Sequence, residues 1–449
     1  MVGVTRYRRD SSWQQPGDGR VVIAGSPLRL FRVSAGGAHV LAASLSGEHP
    51  DTAIVQQLLD RFVDAGALHP EPADGPFTPD DVTVVMPVLG VTPEPPSALR
   101  TIVVDDGSPV PITAPPGTTL LRLDVNLGPA GARDAGLDHV TTPLVAFVDA
   151  DVELPDGWLQ PLLPHFADPR VALVAPRVRG TEDAGLLAGY EHRHSPLDLG
   201  DEPARVAAGT RVSYVPAAVL VCRVDALRSV GGFDTDLRVG EDVDLVWRLA
   251  DAGHRCRYEP AAVVHHRPRS SVAAMLRQRM GYGRSAAPLA TRHPGALAPV
   301  RMSGWSLGVW ALLALRRPWL AVALAGGTAA ALQRKLRDVP AEATVQLALR
   351  GHLAAGRQLA KGVTRVWWPL ALVIAVVVPR ARLPLMAAYV GPVVADAMRA
   401  RSPQPLIDAP LQWADEAAYG TGVWWGVALE RDAGPLVPDL SGWPQRGDR

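Results

Sequence analysis

Five short, almost entirely apolar runs between residues 82 and 223 constrain this chain more than any other feature. Runs of this length, bounded by turn residues and separated by helical stretches, are typical of buried strands in a parallel sheet. The pattern therefore predicts an α/β domain with a mostly parallel sheet, whose ligands would bind at the carboxyl ends of the strands. The runs are VTVVMPV (82–88), LRTIVVDD (99–106), PLVAFVDAD (143–151), VALVAPRV (171–178) and VPAAVLVCR (215–223).

The length of the chain and its balance of charges narrow the class of protein further. At 449 residues, of which 47% are hydrophobic, it is long enough for two or three domains with large cores. Its 45 Lys and Arg residues are matched by 45 Asp and Glu residues, so we expect no nucleic-acid partner. Cys222 and Cys256 are too few for a disulfide framework, and the charged N-terminus lacks the apolar segment of a secretory signal. We therefore expect a cytoplasmic protein.

The N-terminal residues, 1–79, form a small predicted module that ends in a Pro-rich, acidic linker at 70–80. The module has one strand at 28–33, a helix capped by Ser34 and a second helix capped by Asp51. This order of elements resembles a winged-helix fold. We expect it to serve in packing or docking, with peptide recognition as the alternative.

The predicted sheet occupies residues 80–270, and a helical, Trp-rich region follows at 271–449. The apolar runs of this last region are shorter than the roughly 18–20 residues that cross a bilayer. Buried core helices, helices lying in a membrane interface and short hydrophobic hairpins all remain open, and flanking Arg and Trp residues suit the interface. The runs lie at 303–315, 320–332, 367–378 and 383–394.

Carboxylates follow two of the predicted strands directly. Asp105 and Asp106 precede Gly107, and a carboxylate in that position can accept hydrogen bonds from a base or a ribose. Asp149 and Asp151 emerge after PLVAFV with one residue between them. Paired carboxylates of this kind suit Mn²⁺ or Mg²⁺ bound against a diphosphate. A polar strand-ending turn is the structural alternative in both cases.

Two further segments contain residues that could take part in binding or catalysis. The run NLGPAGARDAG (126–136) embeds Arg133 among small residues, which suits a helix that points its N-terminus at phosphate or one that merely packs closely. Glu241, Asp242 and Asp244 open a predicted helix, which is more acid than capping requires, so one of them can act as a general base.

Two adjacent histidines, His265 and His266, follow a predicted strand and could complete a metal site begun by the paired aspartates. The sequence favours His266 only slightly over His265.

Taken in order, VVMPV, IVVDDGS, NLGPAGARDAG, FVDADVELP, GGFD and GEDVDLVWRL resemble a family 2 glycosyltransferase of the GT-A fold, over about residues 82–270. The N-terminal module and the segments VVHHRPRSS, RQRMGYGRS and AYGTGVWWG extend the resemblance over nearly the whole chain. They are similar to members that glycosylate a small peptide-derived redox cofactor.

The resemblance implies a metal-dependent, inverting transfer of a hexose from a nucleoside-diphosphate sugar. The expected case is β-1,4-linked glucose from UDP-glucose. By the same resemblance Asp242, beside Glu241, is the base that activates the acceptor, and Asp149 and Asp151 are the DxD motif that holds Mn²⁺ or Mg²⁺, with His266 as a further metal contact. The implied donor contacts are Pro87, Asp105, Asp106, Asn126, Arg133, Asp149 and Asp151.

Several alternatives remain beside this interpretation. The acceptor could instead be a cell-envelope lipid or polysaccharide, with the enzyme at the inner face of the membrane. A nucleotidyltransferase and a non-catalytic glycan- or peptide-binding scaffold are the other classes. Two departures from the family pattern stand out: a Pro-rich stretch from Val88 to Ala98, where a helix is usual, and Asp134, where Asn is common.

Overall fold

The computed structural model describes residues 5–96, 99–113, 116–181, 185–267, 269 and 271–441. It divides the chain into two compact units, Met1–Pro268 and Arg269–Arg449.

The first unit begins with a small group of strands and helices that has its own apolar core. Strands β2 and β3 form an antiparallel hairpin, and β1 pairs antiparallel with β4. Phe31 stacks on Phe62 at 4.3 Å within this core. The winged-helix comparison stays a prediction. The elements are β1 (Arg6–Arg9), β2 (Val21–Ala24), β3 (Arg29–Arg32), α1 (Ala35–Ala43), α2 (Ala53–Asp64) and β4 (Leu68–Glu71).

The sequence predicted the N-terminal capping residue of α1 correctly and that of α2 incorrectly. Ser34 caps α1 as predicted, since its hydroxyl accepts a hydrogen bond from Gly37. The predicted cap of α2 was wrong by one residue. Thr52, not Asp51, accepts the hydrogen bond from Val55, while the Asp51 carboxylate binds the side chain of Gln56.

A large mixed sheet forms the centre of the first unit, in the order β11-β13-β10-β12-β8-β5-β6-β7, with β9 beside β13. All five predicted strands are present. The sheet strands are β5 (Val82–Val88), β6 (Arg100–Asp105), β7 (Thr119–Arg122), β8 (Leu144–Val148), β9 (Val152–Glu153), β10 (Val171–Gly180), β11 (Ala204–Val206), β12 (Val219–Arg223) and β13 (Arg255–His266). The accompanying helices are α3 (Gly128–Leu137), α4 (Leu186–His194), α5 (Val224–Ser229) and α6 (Glu241–Asp251).

The sheet is parallel from β8 through β5 and β6 to β7, as the apolar runs predicted. The rest of the sheet is mixed: β10 and β13 are parallel, β9 and β11 run antiparallel to β13, and β12 runs antiparallel to both of its neighbours, β8 and β10. Because β12 runs in the opposite direction to β8, the residues just before β12, such as Ala218, lie at the edge of the sheet where the parallel strands end. Between β5 and β6, residues 89–96 form no helix, in agreement with the three prolines there.

The second unit is helical. Its elements are α7 (Val272–Arg284), α8 (Ala286–Arg292), α9 (Gly304–Ala314), α10 (Pro318–Lys335), α11 (Ala341–Arg365), α12 (Trp368–Val377), α13 (Arg382–Ala400) and α14 (Gln404–Glu430). The four apolar runs fall on α9, α10, α12 and α13. Within the described part of the chain, no helix alone has the length and apolarity to cross a membrane, although α11 and α12, bent by 87°, meet the criterion together.

Glycines permit the close crossing of α7 and α14. A Cβ atom on Gly283 would lie 1.9 Å from the carbonyl oxygen of Tyr419, and one on Gly422 would lie 2.0 Å from that of Met280. Since real Cβ atoms never approach a carbonyl oxygen so closely, the two backbones can meet only where side chains are absent.

Candidate active site

The predicted carboxylates meet at one edge of the sheet. Strands β5, β6 and β8 run parallel, so Asp105 at the end of β6 and Asp149 just after β8 lie on the same side. Pro87, half-buried near the end of β5, pairs with Val104 at this edge. The backbone of Asp149 also donates to the carbonyl of Ala218, 2.9 Å away, which ties the edge to the start of β12.

Asp105 and Asp106 are both buried and hydrogen-bonded within the protein. Asp105 accepts from the backbone of Ser108 at 2.9 Å and from the guanidinium of Arg122. Burial raises the pKa of Asp105, but these hydrogen bonds and the Arg122 charge outweigh it, so the pKa is lowered overall. Asp106 accepts from the backbone N–H groups of Leu127 and Gly128, at 2.7 and 3.0 Å. Both carboxylates thus shape the loop and helix start beside the edge, and their contact with a donor stays a prediction.

Arg238, which comes before α6 in the chain, contacts the residues at the start of α3, and the sequence did not predict this contact. Its guanidinium donates to Oδ1 of Asn126 at 2.8 Å and is exposed. A side chain on Gly128 would collide with it, since the Cβ would lie 2.9 Å from Nη1 of Arg238. Only its position between GGFD and GEDVD could have suggested this residue.

Arg133 is the centre of the site. It is buried, and its two terminal nitrogens donate to Oδ1 of Asp149 and Oε1 of Glu241, each at 2.7 Å. Its guanidinium also stacks on the ring of Phe233, 5.5 Å from the centroid. Burial lowers its pKa, but the two carboxylates outweigh burial and raise it. Arg133 therefore stays charged and joins α3, the end of β8 and the start of α6.

The two adjacent carboxylates predicted to include the general base, Glu241 and Asp242, lie in the first turn of α6. Glu241 is 9% exposed at its side chain, and burial followed by the charge of Asp242 raises its pKa to about 7. Asp242 accepts from the backbone of Ala217 at 3.1 Å and from its neighbour Val243 at 2.8 Å. Burial also raises the pKa of Asp242, against these two hydrogen bonds. A carboxylate held in place with a raised pKa is suited to general-base chemistry.

The predicted metal residues are only partly brought together. Nε2 of His266 lies 3.2 Å from Oδ2 of Asp151, because β13 pairs with β9 there. Asp149 instead faces Arg133. His266 is the histidine that contacts Asp151, while the neighbouring His265 pairs with Glu153 across the strands.

Across the described residues, no group of three or more His, Cys, Asp and Glu side chains is arranged as a metal site. The donor set nevertheless suits a divalent ion. Two aspartates and an imidazole are hard and intermediate ligands, and ions such as Mg²⁺ commonly take few protein ligands and complete their shell with substrate phosphates. The carboxylate of Asp151 is 41% exposed at its side chain, so it is accessible to such a ligand.

Asp134 keeps the structural contact that an Asn would make. Its Oδ1 accepts from the backbone of Phe233 at 2.9 Å. Burial raises its pKa to about 6, since the carboxylate has little water around it. The departure from Asn therefore places a titrating group beneath the GGFD loop.

Comparisons with known proteins show which proteins the chain is similar to. Residues 91–229 match the family model for glycosyl transferase family 2. The chain is 40% identical to the pre-mycofactocin glycosyltransferase of Mycobacterium tuberculosis, over 94% of this chain and 95% of that protein. It is 32% identical to the succinoglycan biosynthesis protein ExoA of Rhizobium meliloti, over 24% of this chain and 34% of that protein. Among solved structures, a mannosyltransferase from Pyrobaculum calidifontis in complex with GDP-Man and Mn²⁺ covers 78% of this chain and 90% of its own, with 18% identity and a TM-score of 0.40.

Proposed function

The chain belongs to glycosyltransferase family 2, and we propose that it transfers a hexose from a nucleoside-diphosphate sugar to the precursor of mycofactocin. The proposed donor is UDP-glucose and the proposed linkage is β-1,4. The relative that matches almost end to end supports this acceptor. The observation that carries the proposal is the site itself, in which Arg133 links Asp149, at the end of a buried strand, to Glu241, beside Asp242.

Asp242 is the proposed base. Backbone N–H groups of Ala217 and Val243 hold its two carboxylate oxygens, so the side chain needs little reorganisation to act. Its raised pKa increases its affinity for a proton. Asp242 would take the proton from an acceptor hydroxyl as that oxygen attacks the anomeric carbon of the donor. The nucleoside diphosphate departs from the opposite face, so the configuration at the anomeric carbon inverts.

Positive charge around the site would bind the departing diphosphate. Arg238 is exposed beside Asn126 at the start of α3, where its guanidinium can reach an anion. Arg133 acts indirectly, because both of its terminal nitrogens already bind carboxylates. It orients Asp149 and Glu241 and keeps their negative charges from repelling each other. Asp149, Asp151 and His266 would hold a Mn²⁺ or Mg²⁺ ion, whose charge would neutralise the diphosphate.

A calorimetric titration tests the donor class. UDP, GDP and dTDP are titrated into the full-length protein, each with and without Mn²⁺. We expect UDP to bind most tightly and Mn²⁺ to strengthen its binding. If a folded sample binds none of the nucleotides, the donor proposal is wrong and a binding scaffold becomes the better explanation.

The substitution Asp242→Asn tests the base. It should lower kcat by about 10²–10⁴-fold, the usual contribution of a general base, and leave the affinity for UDP unchanged. Asp251→Asn is the matched control, because Asp251 is an exposed carboxylate at the other end of the same helix. Retained turnover in Asp242→Asn would assign the base elsewhere, and release of pyrophosphate would identify a nucleotidyltransferase instead.

The acceptor is tested by mass spectrometry of the products. Pre-mycofactocin and a lipid-linked or polysaccharide acceptor are offered in parallel with the same donor. Hexose additions on pre-mycofactocin alone are expected. Additions only on the envelope acceptor would overturn the proposed acceptor while leaving the family assignment intact.

A further inference from the structure

Helix α12 exposes apolar side chains over more than half of its circumference, on the side opposite the buried Ala371 and the half-buried Ala375. Val376 and Val377 are 69% and 71% exposed, and Ala371 is the buried residue of the helix. A helix that is apolar all round is stable only where its surroundings are apolar. The exposed large side chains of the helix and the residue after it are Leu370, Leu372, Val373, Ile374, Val376, Val377 and Val378.

The chain around α12 carries a large excess of positive charge. From Ser303 to Ala395 there are eleven Lys and Arg residues against two acids, Asp338 and Glu342, although the whole chain has no net charge. Arg380 and Arg382 follow α12 directly and are exposed. Nε of Arg382 donates to the carbonyl of Ala375, which leaves its terminal nitrogens to other partners. Apolar and basic surface thus lie side by side.

The turn between α9 and α10 repeats this arrangement. Leu315 and Trp319 are 70% and 84% exposed, and Arg316 and Arg317 lie between them in the chain. Tryptophan is favoured at the boundary between lipid headgroups and acyl chains, and arginine pairs with lipid phosphates. The same residue types therefore recur at two separate turns of the second unit.

We propose that α12 and the turn that follows it, residues 370–383, bind an anionic lipid surface. Because α12 is 10 residues long, it spans about 15 Å, half of a bilayer's hydrocarbon core. Arg380 and Arg382 must remain at headgroup level, so α12 lies shallowly along the interface. The exposed side of α12 curves around more than half of the helix, which mobile acyl chains can cover and a flat protein surface cannot, and the excess of basic residues matches an anionic partner.

The test is co-sedimentation of the full-length protein with vesicles of neutral phosphatidylcholine, with or without anionic phosphatidylglycerol. We expect binding to the anionic vesicles that weakens as salt is added. The double variant Val376→Asp with Val377→Asp should bind at least ~100-fold more weakly. Arg380→Gln with Arg382→Gln should bind roughly 25-fold more weakly, from about fivefold for each charge removed. Ile54→Asp is the matched control, since Ile54 is 82% exposed on α2 of the first unit, and it should bind like the wild type.

Circular dichroism and the unfolding midpoint confirm that each variant is folded, without reference to the proposed enzymatic activity. Equal binding of the Val376→Asp, Val377→Asp variant and the wild type would overturn the proposal. Equal binding to neutral and anionic vesicles would overturn it as well. A wild-type dimer in ultracentrifugation that this variant dissociates, without vesicle binding, would instead identify a contact between two copies.

Discussion

Replacing Arg133 by Gln tests the electrostatic arrangement of the site most directly. The change removes a buried cation that lies 2.7 Å from both Asp149 and Glu241. The Glu241 side chain is only 9% exposed, so without Arg133 its charge has neither a counterion nor much water. Breaking a buried pair in this way costs about 3–5 kcal/mol while the remaining partner stays ionised.

Glu241 can avoid most of this cost by binding a proton. Its pKa is already raised to about 7 with Arg133 present, and loss of the cation raises it further. A carboxyl group whose pKa is raised on folding binds protons more tightly in the folded state. It therefore lowers the stability of the fold as the pH rises from the pKa of the unfolded chain to that of the folded protein. Each unit of pKa corresponds to about 1.4 kcal/mol. Arg133→Gln should therefore lose about 1–2 kcal/mol at about pH 6 and about 3–5 kcal/mol at about pH 8.5.

Hydrogen exchange measures this difference locally. The opening free energy of the α6 amides is compared between wild type and variant at both pH values, after correction for the intrinsic exchange rate. The double variant Arg133→Gln with Glu241→Gln is the control, since it lacks the Glu241 carboxyl and should lose the part of the pH dependence that Glu241 causes, while the neighbouring Asp242 still titrates. An equal loss at the two pH values in Arg133→Gln would refute this account of the site.

Two further substitutions test the packing and the titration of buried groups. Gly283→Ala should destabilise the second unit by about 3 kcal/mol in thermal unfolding, because the new Cβ would meet the carbonyl oxygen of Tyr419 at 1.9 Å. Gly281→Ala is the control: there is open space around Gly281, so this substitution should be neutral or slightly stabilising. Similar losses of stability in both variants would contradict the close crossing of α7 and α14. Asp134→Asn keeps an oxygen for the backbone of Phe233 and removes a group whose pKa is raised to about 6. Wild-type stability should fall as the pH rises towards that value. The full shift corresponds to about 3 kcal/mol, and because the carboxylate is only half-buried we expect the variant to gain about 2 kcal/mol in denaturant unfolding at about pH 7.5 and almost nothing at about pH 4. A similar gain at the lower pH would rule out the charge as its cause.

The local sequence predicted much of the first unit because its signals are local. Apolar runs and turn residues predicted the central strands, and Ser34 predicted the cap of α1. The cap of α2 was misplaced because Asp51 and Thr52 are both good capping residues, and only the backbone geometry selects between them. The antiparallel direction of β12 was also not predicted, since an apolar run has the same composition in either direction.

Some residues of the candidate site could be predicted from local sequence and others could not. Asp105, Asp149 and Asp242 could be singled out because each stands at a strand end or helix start in a recognisable order. Arg238 was not singled out, because apart from its position between GGFD and GEDVD no local pattern marks it, and its partner Asn126 is far away in the chain.

The sequence by itself determined the α/β fold class, the family and the edge at which the carboxylates collect, because strand periodicity, turn chemistry and ordered motifs are properties of neighbouring residues. Only the tertiary structure decided which charges face one another. Arg133 pairs with Asp149 and Glu241, Asp151 meets His266, and α12 keeps its apolar side chains exposed. These outcomes depend on chain segments brought together by folding, and the energy of a charge or an apolar side chain depends on the neighbours and solvent that folding leaves around it.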